Sequence, residues 1–202
     1  TLYAGGDFTS MNSQPGTVRI AKLSTGGVLD TTFASGITSG PDGTVFAISV
    51  ESAANLVIGG SFTFYNGAGS VRLARLSATT AALDTTFASN LGTGPNDTVR
   101  ALAWTGAVHV YGGDFTSVNG VLNTVRAAQV STTGTATSVH GGTGPAAPVR
   151  TVAIDASGRA VIGGDFQTVG FAAGTVTLGR VARFSAGSSD GTFVPVHGNK
   201  YV

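Results

Sequence analysis

No cysteine occurs among the 202 residues. That excludes disulfides, thiol nucleophiles and cysteine-held metals, and leaves the redox compartment open. Charge is scarce: Asp, Glu, Lys and Arg make up 10% of the chain, against roughly 25% in an average globular protein. Lysine occurs only at Lys22 and Lys200, and Glu51 is the sole glutamate. The net charge is +1 and no basic run exists, which argues against nucleic acid as a partner. No apolar run reaches the ~18 residues that span a bilayer, so no membrane insertion is expected. No leader pattern is visible, and Thr1 stands almost inside a strand; the expectation is that an upstream segment has been removed. The surface must then be made of Ser, Thr, Asn, Gly and Ala. That composition points to an extracellular or cell-surface protein.

What the chain does have is a repeat. A short apolar run followed by Gly-Gly-Asp/Ser-Phe occurs at Gly5–Phe8, Gly59–Phe62, Gly112–Phe115 and Gly163–Phe166, at steps of 54, 53 and 51 residues. A fixed period of this size implies stacked or radial units sharing one core. After each glycine pair comes a polar loop, then Val18–Ser24, Val71–Ser77, Val125–Ser131 or Gly179–Ser185, which alternate as strands and carry an arginine at equal phase. Leu29–Phe33 and Leu83–Phe87 both read Leu-Asp-Thr-Thr-Phe and predict a short fourth strand, with degraded copies at Thr137–Val139 and Ser189–Phe193. Turns at Gly40–Gly43, Gly94–Asp97 and Gly144–Ala147 precede the strands Val45–Val50, Val99–Trp104 and Val149–Ile154. Turn signals come too often for helices, and no amphipathic helix is expected. The reading is all-β: a β-propeller-type array of about four antiparallel blades with a period of ~53 residues. The approximate units of one repeat domain are 1–40, 41–93, 94–143 and 144–202. The array is either a closed small ring, with Lys200–Val202 meeting Thr1–Ala4, or part of a larger propeller.

These segments resemble the delta-60 repeat family of bacterial β-propellers. Gly59–Phe62, Arg72–Leu76, Leu83–Phe87 and Val99–Leu102 follow its pattern closely, and the likeness covers almost the whole chain. The third unit departs at Thr137–Val139, where Asp and Phe are missing, and the last unit ends in Val194–Val202 without a following Gly-x-Val strand. The resemblance implies a propeller fold and a usually extracellular setting, with no established activity. Ser189–Phe193 is similar in part to the Asp-box turn of sialidase-type propellers but lacks two positions of that pattern. It aligns with Leu29–Phe33 and reads as the ordinary fourth strand.

Chemistry-bearing residues are few. Asp7, Asp114 and Asp165 share one phase, with Ser61 in the remaining unit. They are candidates for a Ca²⁺ site, or for turn carboxylates that accept backbone N–H bonds. No other cofactor is implied. Arg19, Arg72, Arg126 and Arg180 recur on strands and read as structural ion-pair partners of Asp30, Asp84 or the glycine-pair aspartates. His109, His140 and His197 show no zinc spacing. Tyr65 and Phe171 lie in the loops after the glycine pairs; they either contact a glycan or protein or close the end of a blade. No catalytic residue is assigned.

The function these features fit is a non-catalytic extracellular binding, adhesion or assembly module recognising a surface glycan or protein. A propeller-type glycoside hydrolase is the alternative. It needs two carboxylates roughly 5–10 Å apart across a bond, and no such pair stands out. A structural subunit of a viral tail or surface filament, completed by additional blades from the same or another chain, is the third reading.

Overall fold

The computed structural model describes residues 1–185, 188–189 and 193. The expected ring closure through Lys200–Val202, most of the copy at Ser189–Phe193, and His197 lie outside the described residues.

The first unit contributes β1 (Leu2–Gly5), β2 (Ile20–Leu23) and α1 (Thr31–Ser35). The second contributes β3 (Val45–Val50), β4 (Asn55–Gly60), β5 (Phe64–Tyr65), β6 (Ala68–Gly69), β7 (Leu73–Ser77) and α2 (Thr85–Leu91). The third holds β8 (Val99–Trp104), β9 (Val108–Gly113), β10 (Ala127–Ser131) and β11 (Ala136–Ser138). The remaining strands are β12 (Gly141–Pro145), β13 (Val149–Ile154), β14 (Ala160–Gly164), β15 (Thr168–Phe171), β16 (Gly174–Thr177), β17 (Val181–Ser185) and β18 (Ser188–Ser189).

Among the described residues four antiparallel meanders form the blades: β1-β2, β3-β4-β7, β8-β9-β10-β11 and β13-β14-β17-β18. Two small sheets, β5-β6 and β12-β15-β16, fold from the loops. The innermost strands β3, β8 and β13 lie side by side in succession. The sheets therefore face one another, and the hydrophobic core is a series of layers between blades. This is a β-propeller-type architecture. Phe62, Phe115 and Phe166, which follow the double glycines, are all fully buried.

The glycine pair sets the spacing. None of its glycines has a positive φ; close approach, not turn conformation, is the reason for glycine here. The first glycine of the first three pairs is a seat for the valine that opens the next blade. A Cβ on Gly5 would stand 2.7 Å from Val45 Cγ1, on Gly59 2.6 Å from Val99 Cγ1, and on Gly112 2.3 Å from Val149 Cγ1. The second glycine lies under the carbonyl that precedes its own innermost strand. A Cβ on Gly60 or Gly113 would meet the Thr44 or Thr98 carbonyl oxygen at 2.0 Å. Opposite each pair, the innermost strand bulges by one residue, at Phe46, Arg100 and Arg150.

Two expectations need correction. The Leu-Asp-Thr-Thr-Phe segments are not strands. Each makes one isolated bridge, Leu23–Leu29 or Leu76–Leu83, and then turns into a helix, α1 or α2. The cause is the aspartate. Asp30 accepts the N–H groups of Thr32 and Phe33 at 3.1 and 3.0 Å, and Asp84 accepts that of Phe87 at 3.0 Å, which is N-cap chemistry. The cap turns Phe33 and Phe87 into the interblade core. In the third unit the aspartate is missing, and there β11 does pair with β10 as a fourth strand.

The recurring arginines, second, stand just before their strands rather than on them. Arg19, Arg72, Arg126 and Arg180 have φ of 58°, 64°, 58° and 78°, a left-handed conformation uncommon for a residue with a Cβ. It lets Arg19, Arg72 and Arg126 close the loop from both sides. The backbone N–H of Arg19, Arg72 and Arg126 donates to Phe8, Phe62 and Phe115 carbonyls at 2.9, 2.8 and 2.8 Å. Their own carbonyls accept from Gly6, Gly60 and Gly113 at 3.1, 3.0 and 3.1 Å.

Because Gly113 is pinned against backbone, Gly113→Ala is expected to cost about 3 kcal/mol, a fall of roughly 6–12 °C in Tm for a chain of this size. Gly69→Ala, with open space around its Cα, is the control and is expected to leave Tm within about 2 °C. Equal melting curves for the two variants would contradict the seat.

Candidate functional site: the grooves between blades

The glycine-pair aspartates do not converge. Arg100, on the bulge of β8, grips Asp114 through Nε at 2.8 and 3.0 Å. Arg150, on the bulge of β13, holds Asp165 through Nε at 2.9 Å and keeps its carboxyl below the usual carboxylate range. In the second blade both partners change together: Phe46 replaces the arginine and Ser61 the aspartate. Asp7 accepts from Thr44 Oγ1 at 3.0 Å and lies 3.5 Å from Arg19 Nε. The Ca²⁺ candidates are thus spread over three blades, two of them each committed to an arginine. Among the described residues no three His, Asp or Glu side chains form a metal-binding group.

The left-handed arginines do not take Asp30 or Asp84 as partners either. Arg19 Nη1 donates to the Pro41 carbonyl at 3.0 Å, Arg126 Nη1 to Pro145 at 3.2 Å and Arg180 Nη1 to Asp165 at 3.1 Å, while Arg72 donates to the Ser61 carbonyl. Asp30 pairs with Lys22 at 2.8 Å and Asp84 with Arg75 at 2.7 Å, in each case a residue three positions after the left-handed arginine. Tyr65 and Phe171 are corrected too. They are 0% and 5% exposed, so they close blades rather than present a contact surface. Tyr65 is drawn inward by a bridge to Pro41, and its hydroxyl donates to the Ala81 carbonyl at 2.8 Å; burial pushes that hydroxyl's pKa up.

The informative positions are those where the repeat breaks. The end of the innermost strand reads Ser49-Val50-Glu51 in the second blade, Ala103-Trp104-Thr105 in the third and Ala153-Ile154-Asp155 in the fourth. Facing it, three residues before the first glycine, are Leu56, His109 and Ala160. The middle of the third strand carries Lys22, Arg75, Gln129 and Arg183. These positions meet in the grooves between neighbouring blades.

Between the second and third blades the groove is filled by charge. Arg75 Nε donates to both Glu51 oxygens at 2.9 and 3.1 Å, its Nη2 reaches Oε2 at 2.7 Å, and Nη1 bonds Asp84. His109, fully buried, spans the blades: Nε2 lies 3.0 Å from Glu51 Oε1 and Nδ1 3.1 Å from Ser49 Oγ. The Trp104 ring covers it, with centroids 4.6 Å apart. Burial pushes the His109 pKa down, against the pull of Glu51. Burial raises the Glu51 carboxyl, but Arg75 and His109 outweigh it and hold the group below its usual value. A neutral imidazole with the proton on Nε2 satisfies both neighbours, donating to Glu51 and accepting from Ser49. The residue types are those of a Ser–His–acid triad, yet Ser49 is only 7% exposed and the acid is committed to an arginine. The network clamps two blades.

Between the third and fourth blades the equivalent positions are small and neutral. Thr105 stands for Glu51, Gln129 for Arg75 and Ala160 for His109. A cleft of about 470 Å³ opens there, with Ser138, Ser157 and Arg159 at its sides and Val139 and Phe184 at its base. The groove between the first and second blades, beside Tyr3, Lys22 and Ser52, holds about 280 Å³. No motif flags these residues; the signal in the sequence is departure from the repeat at equal phase.

The buried histidines make stability pH-dependent. The pKa of His140, also fully buried, is lowered by desolvation as well. Both are neutral when folded and titrate near 6.5 when unfolded, so the unfolded chain binds more protons below about pH 6.5 and stability falls on acidification through that value. The carboxylate of Glu51 acts later, its contribution being lost only as pH falls below its unfolded value near 4.3. Tm is expected to drop between about pH 7 and 5.5, and His109→Asn with His140→Asn is expected to flatten the drop. Thermal melts across this range check it; an unchanged slope in the double variant contradicts the assignment.

Two stretches of the chain, residues 1–33 and 55–87, match the domain of unknown function (DUF5122) beta-propeller family model. The matched stretches run from each glycine-pair strand to the phenylalanine of α1 and α2. No curated protein matches the chain significantly. The chain is thus similar, over these two stretches, to a family of β-propeller domains whose function is undefined.

Proposed function

We propose that this protein is a non-catalytic binding propeller, that its ligand is a neutral glycan, and that the cleft between the third and fourth blades receives it. The observation that carries the reading is the exchange at equal phase: the groove that holds Glu51, Arg75 and His109 in one place holds Thr105, Gln129 and Ala160 in the next, and there a cavity opens. Its volume falls within the range of roughly 300–1,000 Å³ typical of ligand sites. Gln129, Ser138 and Ser157 supply neutral donors and acceptors, while the Thr105 hydroxyl is spent within its own turn, donating to the Val108 carbonyl at 3.0 Å. Arg159 is already bonded to Asp155 at 2.7 Å, so hydroxyl groups suit the cleft better than a charged ligand. The low charge content and near-absence of lysine support an extracellular or cell-surface setting as part of the same proposal. The hydrolase reading gains nothing from the geometry, because Glu51 and Asp84 share one arginine and both carboxyls sit below their usual range.

The test is a glycan array probed with the labelled chain, followed by calorimetry on the hits. Gln129→Ala is expected to weaken binding by about 10-fold, Ser157→Trp at the rim is expected to abolish it, and chelation of divalent ions is expected to change nothing. An array without hits, or affinity indifferent to both substitutions, would overturn the proposal.

A further inference from the structure

Two Asn-Gly pairs occur in the chain, Asn66–Gly67 and Asn119–Gly120, one repeat period apart in the second and third blades. Each fills a two-residue hairpin tip, the first between β5 and β6, the second inside the Val118–Val121 bridge. Asn66 and Gly67 have φ of 50° and 78°, Asn119 and Gly120 of 47° and 70°, the left-handed pair that such tips prefer. The space beside both glycines is open, and neither glycine N–H donates to backbone among the described residues. The backbones thus match, but the two carboxamides do not. Asn66 is bonded at both ends. Its Oδ1 accepts from the N–H groups of Thr38, Ser39 and Gly40 at 3.0, 3.3 and 2.9 Å, and its Nδ2 donates to the Gly36 carbonyl at 2.8 Å. Asn119 is exposed and bonded at one end only. Its Oδ1 accepts from the Thr93 N–H and from Thr93 Oγ1, both at 3.2 Å, while its Nδ2 has no partner among the described residues.

An asparagine followed by glycine can close a ring on itself. The glycine main-chain nitrogen bonds to Cγ, the Cγ–Nδ2 bond breaks, and Nδ2 leaves as ammonia with the glycine's proton. Water then adds to one of the two carbonyls of the succinimide, and the ring opens to aspartate or to isoaspartate. Nothing is oxidised or reduced. Glycine hinders the attack least, because it has no side chain. Ring closure swings Cγ onto the glycine nitrogen and so turns the carboxamide away from its partners. At Asn66 that motion breaks the bonds to Thr38, Ser39, Gly40 and Gly36 together. At Asn119 it disturbs only the bonds to Thr93, and the departing nitrogen is already free. We infer that Asn119–Gly120 is a site of spontaneous covalent modification in the folded protein, and that the fold itself keeps Asn66–Gly67 intact. Asn12, at the same phase in the first blade, precedes Ser13, whose side chain crowds the attacking nitrogen. The product matters to the blade, because isoaspartate lengthens the main chain within a two-residue tip. The Asn119 N–H donates to the Gly94 carbonyl at 3.0 Å, and its side chain lies over the bare Cα of Gly92, the C-cap of α2. The modification therefore loosens the loop of the third blade from the end of α2. No residue of the cleft takes part, so the inference stands apart from the glycan reading.

The test incubates the full chain in mildly alkaline buffer, folded in one arm and unfolded by guanidinium chloride in the other. Peptide mapping by mass spectrometry follows amide-to-acid conversion at each asparagine, and enzymatic methylation reports isoaspartate. In the folded chain Asn119 is expected to convert about 10-fold faster than Asn66. In the unfolded chain the two are expected to convert at equal rates. The isoaspartate-bearing fraction is expected to melt about 2–4 °C lower, and Asn119→Ser is expected to abolish that loss on ageing. Equal rates in the folded chain, faster conversion at Asn66, or an Asn119 that survives folded while the unfolded chain reacts would overturn the inference. So would a lead of Asn119 that persists undiminished in guanidinium chloride, because the fold would then not be the shield.

Discussion

The contact on which the rest of the structure depends is a valine set against a bare Cα. Val45, Val99 and Val149 each open an innermost strand and each lands on the first glycine of the preceding blade, closer than any side chain there would permit. This contact fixes the separation of adjacent sheets and so the depth of the apolar layers between them. It also fixes the bulge. With the second glycine pressed under a backbone carbonyl, the partner strand must slip by one residue. The slipped residue is the one that reaches the side chain after the glycines. Packing, register and the arginine–aspartate pairs thus follow from one steric condition.

Against this constant frame the grooves vary. The same three phases hold lysine and leucine in one groove, glutamate, arginine and histidine in the next, and threonine, glutamine and alanine in the third. The clamp of Arg75, Glu51 and His109 has a partial counterpart in the fourth blade, where Asp155 lies 3.7 Å from Arg183. Carboxylate and arginine at these phases therefore recur in the second and fourth blades. What is particular to the second groove is the histidine that carries the network across to the next blade. Breaking such a buried set by removing one member leaves the others uncompensated, at a cost of several kcal/mol.

Much of the fold was legible in the residues. The period, the glycine pairs and the apolar runs before them announced equivalent antiparallel modules. The failures were local and have physical causes. Leu29–Phe33 has the length and composition of a strand, and only the Asp30 side chain, folding back onto two N–H groups, decides for a helix. Tyr65 sits in a polar loop, but the bridge to Pro41 folds that loop inward. The alternation around Arg72 suggests a strand, while the loop closure at Phe62 demands a left-handed residue. The groove residues were each visible as breaks in the repeat. Their meeting could not be read, because Glu51 and His109 are 58 positions apart in sequence and belong to different sheets.

The separation of seat from groove has an evolutionary consequence. Substitutions at Glu51, Arg75, Thr105, Gln129 or Ala160 change what a groove contains without touching the valine and glycine that hold the sheets apart. The lining of one groove can drift while its neighbours stay intact, and duplication of a unit creates a new groove at the junction of two old ones. An architecture of this kind diversifies by recombining junctions rather than by redesigning a core.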